Sequence, residues 1–270
     1  MVSASIACHQ LIDQSKLMGR FASTVPYYRH CRAPYPPELF RRVAQALRLD
    51  GSQALIDLGC GPGQLALGFA PFVRSVAGVD PEPAMIAAAR EAAAAEGAAL
   101  ELIESRAEDL PAGLGPFDVV TMGRALHWMT PTPTLALLDR FVRPKGFIVV
   151  CGASSAEGPA NPWLASYDEF RFRVNPEKDR RRYRVEAASF FAGSAFSPRE
   201  NLSVQFRQTI SVDTLIGRLF SMSNTSREML GPRADHVGAE LRAVLSPFTA
   251  AGETIEEIVE AEASILARPA

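Results

Sequence analysis

An abrupt change of hydrophobic period is centred on Asp57-Leu58-Gly59-Cys60-Gly61-Pro62-Gly63. Before it, ALIDLG at 54–59 is a short apolar run carrying one acid. After it, QLALGFAPFV at 64–73 spaces its apolar residues as a helix does. A strand that ends in a glycine-rich turn and passes into a helix opens a βα unit, and open α/β sheets bind ligands at the carboxyl ends of such strands. The glycines allow backbone angles that other residues resist and let a ligand come close to the main chain. The bland alternative is a purely structural strand–helix turn.

The alternation continues. SVAGVD at 75–80 reads as a second strand, and EPAMIAAAREAAAAEG at 82–97 as a strong helix closed by Gly97. ALELIES, PFDVVTMG and KGFIVVCG (99–105, 116–123 and 145–152) follow as strands three to five, with a helix around TLALLDRFV at 134–142. Short strands alternating with helices at this spacing predict an α/β fold with a parallel sheet and right-handed crossovers. Ahead of the turn, PELFRRVAQALRL at 37–49 places Pro37 in the first turn of a helix, while residues 1–25 are weakly patterned and predict at most a capping helix. Past Gly152 the rhythm changes. LSVQFRQTIS at 202–211 and TIEEIVEAEASILAR at 254–268 read as strands, with helices over 211–223 and 233–248 between them. The expected organisation is a helical lead-in over 1–50, a ligand-binding α/β core over 51–152, a substrate cap with a sixth strand over 153–250, and a terminal strand over 251–270 that completes the core sheet.

Composition narrows the function. With 28 Lys and Arg against 30 Asp and Glu in 270 residues, the chain lacks the basic excess of a protein that grips phosphate backbones, so no nucleic-acid partner is expected. Cys8, Cys31, Cys60 and Cys151 form no C-x-x-C pair, and His9, His30, His127 and His236 show no zinc-protease spacing. No metal is expected. No segment approaches the ~18 apolar residues of a membrane span, and the N-terminus has no unbroken apolar run, which predicts a soluble cytoplasmic protein without a membrane partner.

The turn also selects its ligand. Asp80 ends the second strand, placed for its carboxylate to accept both hydroxyls of a ribose. A dinucleotide site requires G-x-G-x-x-G, whereas Gln64 stands at the last of those positions here. Asp57, just before the turn, disfavours a pyrophosphate and favours a cationic amine. No phosphate loop and no G-x-S-x-G elbow occurs. The ligand implied is an adenosine with a zwitterionic or cationic 5′ substituent.

With Asp80, DLGCGPG resembles the cofactor signature of class I S-adenosylmethionine-dependent methyltransferases. The resemblance runs on through AEDLP at 107–111 and FDVVTMGRALHWM at 117–129. YYRHCRAPYPPELF at 27–40 is similar to the tyrosine-rich lead-in of small-molecule members such as those resembling trans-aconitate methyltransferase. It covers residues 25–152 well and the remainder only in general layout. It implies a Rossmann-like, seven-stranded, mostly parallel sheet with helices on both faces and a helical cap. It also implies S-adenosyl-L-methionine as cofactor and S-adenosyl-L-homocysteine as product. Carried over, Gly59 and Gly61 line the methionine part, Asp57 supports its amino group and Asp80 holds the ribose. Ala107 and Glu108 flank the adenine, and Met122 and Gly123 lie beside the sulfonium. The chain departs from the family pattern at Arg106, where many relatives carry an acid, and at Ala33, which separates Arg32 from Pro34.

In-line methyl transfer needs alignment, exclusion of water and removal of the acceptor's proton. His127, after the fourth strand, is the candidate base; its alternative is packing beneath Trp128. Arg124 is a candidate fork for a substrate carboxylate. Tyr28 and Trp128 are further acceptor contacts, with Met129 alongside Trp128. The basic run at 169–184 attracts an anionic substrate or is simply a solvated helix face. Tyr167, Phe170, Phe172 and Tyr183 suggest a lid with an aromatic underside. The expected function is methyl transfer to a small-molecule oxygen or nitrogen by a monomer or homodimer. The alternatives are a protein of this fold that uses the cofactor for another reaction, such as a cyclisation, and a non-catalytic partner subunit.

Overall fold

The computed structural model describes residues 24–175 and 187–270. The capping helix expected near the N-terminus, Cys8, His9, the later part of the basic run and Tyr183 lie outside the described residues.

Helix α1 (Val25–Cys31) leads into α2 (Pro37–Leu47), which Pro37 starts, as read from the sequence. The α/β core follows as β1 (Ala54–Leu58), α3 (Gln64–Phe69), β2 (Ser75–Asp80), α4 (Pro83–Glu96), β3 (Glu101–Glu104), β4 (Phe117–Gly123), α5 (Pro131–Phe141) and β5 (Val142–Ser155). Then come α6 (Leu164–Val174), α7 (Ala187–Phe190), β6 (Ser197–Ser211), α8 (Val212–Phe220), α9 (Arg227–Leu230), α10 (Ala234–Leu245) and β7 (Thr254–Ala267).

The strands form one seven-stranded sheet in the order β3-β2-β1-β4-β5-β7-β6. β1 through β5 run parallel to one another, and β7 is antiparallel to both β5 and β6. The chain steps outward from β1 to β3 and then returns to β4, so the strand order reverses between β1 and β4. That reversal opens the crevice in which α/β sheets hold ligands.

Alternation along the strands builds two cores. Ile56, Val120 and Ile148 pack on one face with Leu137, Leu138 and Phe141 of α5. Their neighbours Leu55, Val119 and Val149 pack on the other with Leu39, Phe40 and Val43 of α2 and Leu65 and Phe69 of α3. All five residues of β1 are buried, as a strand covered on both faces requires. The cap has a third core of its own, in which Trp163, Tyr167 and Phe170 meet Leu215, Leu219 and Leu241.

Several boundaries differ from expectation, β5 among them, which runs over Val142–Ser155 rather than 145–152. α3 stops at Phe69 and a short 3₁₀ turn over Ala70–Phe72 follows, because Pro71 has no N–H to continue the ladder. α1 has too few turns to show a period. β6 begins at Ser197, with a register shift between Pro198 and Glu200. Pairing with β7 draws in residues whose composition does not read as strand, and proline is tolerated on such an edge.

The lead-in and the cap are fastened together. Gly217 of α8 lets that helix close on α1, since a Cβ there would strike Cys31 Sγ. Tyr27 and Phe220 meet edge to face at 5.6 Å. Arg218 reaches from α8 to Glu257 of β7 with bonds of 2.6 and 3.1 Å, and also donates to the Cys31 carbonyl and Ser155 Oγ.

Candidate functional site

Asp57 lies one residue from the end of β1, beside Thr121 of β4 in the strand register. It is 1% exposed, and Thr121 Oγ1 donates to its Oδ1 at 2.7 Å. Burial pushes its carboxyl up to about 7, opposed by the Thr121 hydrogen bond, with the charge of Asp80 as a smaller upward influence. No described basic side chain forms an ion pair with it.

Beyond Asp57 the chain turns through Gly59, Gly61 and Gly63 at φ of 69°, 52° and 86°. These values lie in the left-handed region that favours glycine. The N–H groups of Gly59 and Cys60 both donate to the Val79 carbonyl, holding the turn to β2. A Cβ on Gly59 would lie 2.5 Å from Ala125 Cβ, so the loop after β4 packs directly on this turn. Asp80 completes the frame: its two oxygens accept the Gly61 and Glu82 N–H groups, each at 2.9 Å. A carboxylate has about four acceptor positions, which leaves two for ligand hydroxyls.

Tyr28, Asp57, Gly59, Gly123 and Arg124 come together around a narrow cleft at the β1/β4 crevice. Tyr35 and Gln64 line it too. Neither was read as a site residue from the sequence, although Tyr35 stands in the tyrosine-rich lead-in and Gln64 marks the departure from the dinucleotide pattern. The cleft suits the methionine end of S-adenosylmethionine on its chemistry: a buried carboxylate with no ion-pair partner among the described residues lies beside the glycine turn.

The other expected contacts are placed differently. Met122 is fully buried and Ala107 nearly so, both within the core on the α5 side of the sheet, so any ligand contact comes through their backbones. Glu108 accepts the Thr130 N–H at 3.5 Å and lies 3.6 Å from Arg106, so the arginine that departs from the family pattern lies beside its carboxylate. The Arg124 guanidinium, expected as a substrate fork, is engaged within the protein. It donates to the carbonyls of Ala33 and Ala153 and to Gln64 Oε1, and sits 4.6 Å from the Tyr35 ring centre. Those bonds tie the lead-in, β5 and the glycine turn to the end of β4.

His127 lies in a 3₁₀ turn over Leu126–Trp128, its ring 5.0 Å from that of Trp128. Burial, assisted by the charge of Arg32, lowers its pKa to about 4, so the imidazole is neutral at physiological pH. Within the described part of the basic run, Arg171 pairs with Asp168 at 3.0 Å. Tyr167 and Phe170 are buried in the cap's own core. Among the described residues, no group of three or more His, Cys, Asp or Glu is arranged to hold a metal ion, and no helix is long and apolar enough to cross a membrane.

Known proteins supply the remaining comparison. Residues 55–146 match the family model of a methyltransferase domain. An uncharacterized methyltransferase of Schizosaccharomyces pombe is 35% identical over 131 residues, which cover 45% of this chain and 48% of that protein. One from Mycobacterium tuberculosis is 31% identical over 126 residues, covering 47% and 49%. The matches thus span about half the length of these curated relatives. Among solved structures, one described as a type II methyltransferase from Anaeromyxobacter dehalogenans aligns with a TM-score of 0.61 at 24% identity, covering 88% of this chain and 97% of that one. The [4+2]-cyclase SpnF aligns at 0.59 with 16% identity, covering 95% and 97%. At such identities the likeness is one of fold.

Proposed function

We propose, from the match of residues 55–146 to the family model of a methyltransferase domain, that the chain transfers a methyl group from S-adenosylmethionine to an oxygen or nitrogen of a small molecule by in-line displacement. The observation that carries this reading is the buried Asp57 carboxylate at the floor of the β1/β4 cleft, framed by the glycine turn and Asp80. When bound, the cofactor supplies an electrophilic methyl group on a positively charged sulfur.

The roles of the residues follow from their chemistry. Asp57 pairs with the amino group of the methionine end, and Asp80 accepts the ribose hydroxyls while clamping the turn. Gly59 and Gly61 keep the main chain accessible, and Gly123 leaves room beside the reacting carbon, with Met122 contributing its backbone. Ala107 and Glu108 border the adenine. Arg124 holds the rim in place, an ordering role that replaces the substrate fork read from the sequence. Tyr28 and Trp128 wall the acceptor side, and neutral His127 Nδ1 or Nε2 accepts the acceptor's proton. A cytoplasmic location agrees with the unpaired state of Cys31, Cys60 and Cys151, which suits a reducing compartment; the chain is taken to act there as a monomer or homodimer.

Two measurements test the reading. Calorimetry should show S-adenosylmethionine binding and no preference for NAD; the reverse would end it. Incubation with methyl-labelled cofactor and fractions of small metabolites should yield a labelled product. Since the fold also aligns with a cyclase, cofactor binding with no label transferred to any fraction would favour the cyclisation reading.

A further inference from the structure

The sheet ends on one side in β3, four residues long, and on the other in β6, which has fifteen. Strands typically run to about 5–6 residues. Edges are usually kept short, because their outward N–H and C=O groups invite another strand. Which groups of β6 point outward follows from β7. Ile258 donates to Asn161 Oδ1 and its carbonyl accepts the Ala156 N–H, while the Glu256 carbonyl accepts the indole N–H of Trp163. The even-numbered residues of β7 thus turn towards β5, and the odd-numbered ones towards β6. Their partners there are even-numbered: Leu202 with Ala263, Val204 with Ala261, Phe206 with Val259.

Asn201, Ser203, Gln205 and Arg207 therefore aim their backbone groups away from the sheet, where no described strand pairs with them. The Ser203 carbonyl agrees with that direction, since it accepts Arg42 Nη1 of α2 at 3.3 Å. Side chains alternate along the same stretch. Ser203, Gln205 and Arg207 are exposed. Leu202, Val204 and Phe206 lie on the other face, towards α2, and stay partly exposed, so α2 does not cover them completely.

We propose that the outer edge of β6 is a self-pairing surface, on which two copies of the chain join β6 to β6 in antiparallel fashion about a two-fold axis at Val204. Such an axis, normal to the sheet, keeps each face on its own side and sets residues of equal parity opposite one another. Centred on Val204, it places Val204 against its own copy and Leu202 against Phe206 of the other. Ser203 then exchanges backbone bonds with Gln205, and Asn201 with Arg207, all of them outward-facing. Glu200 meets Gln208, and no like charges stand directly opposite. Neighbouring registers are worse. Centring on Ser203 sets Phe206 against Glu200, and centring on Gln205 sets Leu202 against Gln208. The pairing displaces one hydrogen bond, from Arg42 to the Ser203 carbonyl, while Arg42 keeps Glu38. The assignment is independent of the methyl-transfer reading.

Sedimentation velocity on the full chain should show a dimer that dissociates on dilution. Gln205→Pro removes an outward N–H and leaves the ladder to β7 intact. It should weaken the dimer at least tenfold, with the circular dichroism spectrum and cooperative melt of a folded chain. Val204→Cys should form an intermolecular disulfide on mild oxidation, beyond any seen in the wild-type chain, because the axis brings that residue within disulfide reach of its own copy. Thr209→Cys, away from the axis, should not. The cysteine variants leave every backbone N–H in place, so they decide the matter even where the proline is not tolerated. A chain that sediments as a monomer at every concentration would overturn the assignment. So would an undiminished dimer in folded Gln205→Pro, which gives the contact to another surface. Absence of the Val204→Cys cross-link, or an equal cross-link at Thr209→Cys, would overturn the axis and the pairing with it.

Discussion

Asp57 and His127 are displaced in opposite directions by one cause, burial, and the signs carry different consequences. A carboxyl raised from 3.8 to about 7 binds a proton in the folded chain that it loses in the unfolded one. Its contribution to stability is therefore present at low pH and lost as pH rises through 7. An imidazole lowered from 6.5 to about 4 contributes stability that is present above pH 6.5 and lost as pH falls through 4. Between pH 4 and 6.5 the two oppose each other, so ligand binding reports on Asp57 more cleanly than melting does. An ammonium group beside Asp57 favours the ionised form, so binding of S-adenosylmethionine at pH 6.5 should release protons and its affinity should fall below pH 7. Calorimetry in buffers of different ionisation enthalpy measures this; no net proton release would contradict it. Asp57→Asn keeps an oxygen for Thr121 while removing the charge, and should raise the Tm of the cofactor-free protein above pH 7 by several degrees while weakening cofactor binding at least tenfold. Asp80→Ala removes two charge-assisted hydrogen bonds from the turn as well as the ribose acceptor. At about 1.5–3 kcal/mol for each such bond, a loss of cofactor affinity of roughly 100-fold or more is expected by equilibrium titration, and wild-type affinity would discard the assignment.

At the scale of elements, helix α8 offers a test whose sign is informative. Glycine inside a helix ordinarily costs about 1 kcal/mol relative to alanine, so Gly→Ala in a helix normally stabilises. At Gly217 the added carbon would strike Cys31 Sγ, and overpacking of that kind costs about 1–3 kcal/mol. Gly217→Ala should therefore lower Tm by several degrees and disturb the lead-in, with Asp57 and its cleft left in place. A rise in Tm would show that α1 and α8 are not held as described. The same contrast explains what could be read from residues alone. The seven strands and the helices α2, α3, α4, α5, α8 and α10 were legible because each carries a period or a cap. So was the pairing of the glycine turn with Asp80, which rests on local spacing. Tyr35, Gln64 and Thr121 were not, because their roles come from neighbours 60 to 116 positions away: Asp57 for Thr121, Arg124 for Gln64, and the Cys151 carbonyl for Tyr35. Arg124 was read as a substrate fork for the same reason, since nothing near it in sequence announces the carbonyls that engage it.

Across the whole molecule, the buried Arg218–Glu257 pair joins the cap to the sheet and to the lead-in. Deleting one partner leaves the other charge buried, at a cost of about 3–5 kcal/mol. Glu257→Ala should therefore lower the denaturant midpoint strongly, and limited proteolysis should then cut first within 156–250. Resistance equal to wild type would mean that the cap is held by its apolar core alone. The strand order adds a consequence in time. β7 is last among the strands along the chain yet lies between β5 and β6. At ordinary elongation rates of about 5–20 residues per second, β6 waits roughly 3–11 s after its own synthesis for the last residue of β7. Strands β1 to β5 emerge before that interval and can pair with one another. The strands that frame the glycine-turn cleft can thus pair on the ribosome before the fourteen-residue β7 is complete, and β7 is the piece that joins β6 and the cap to them.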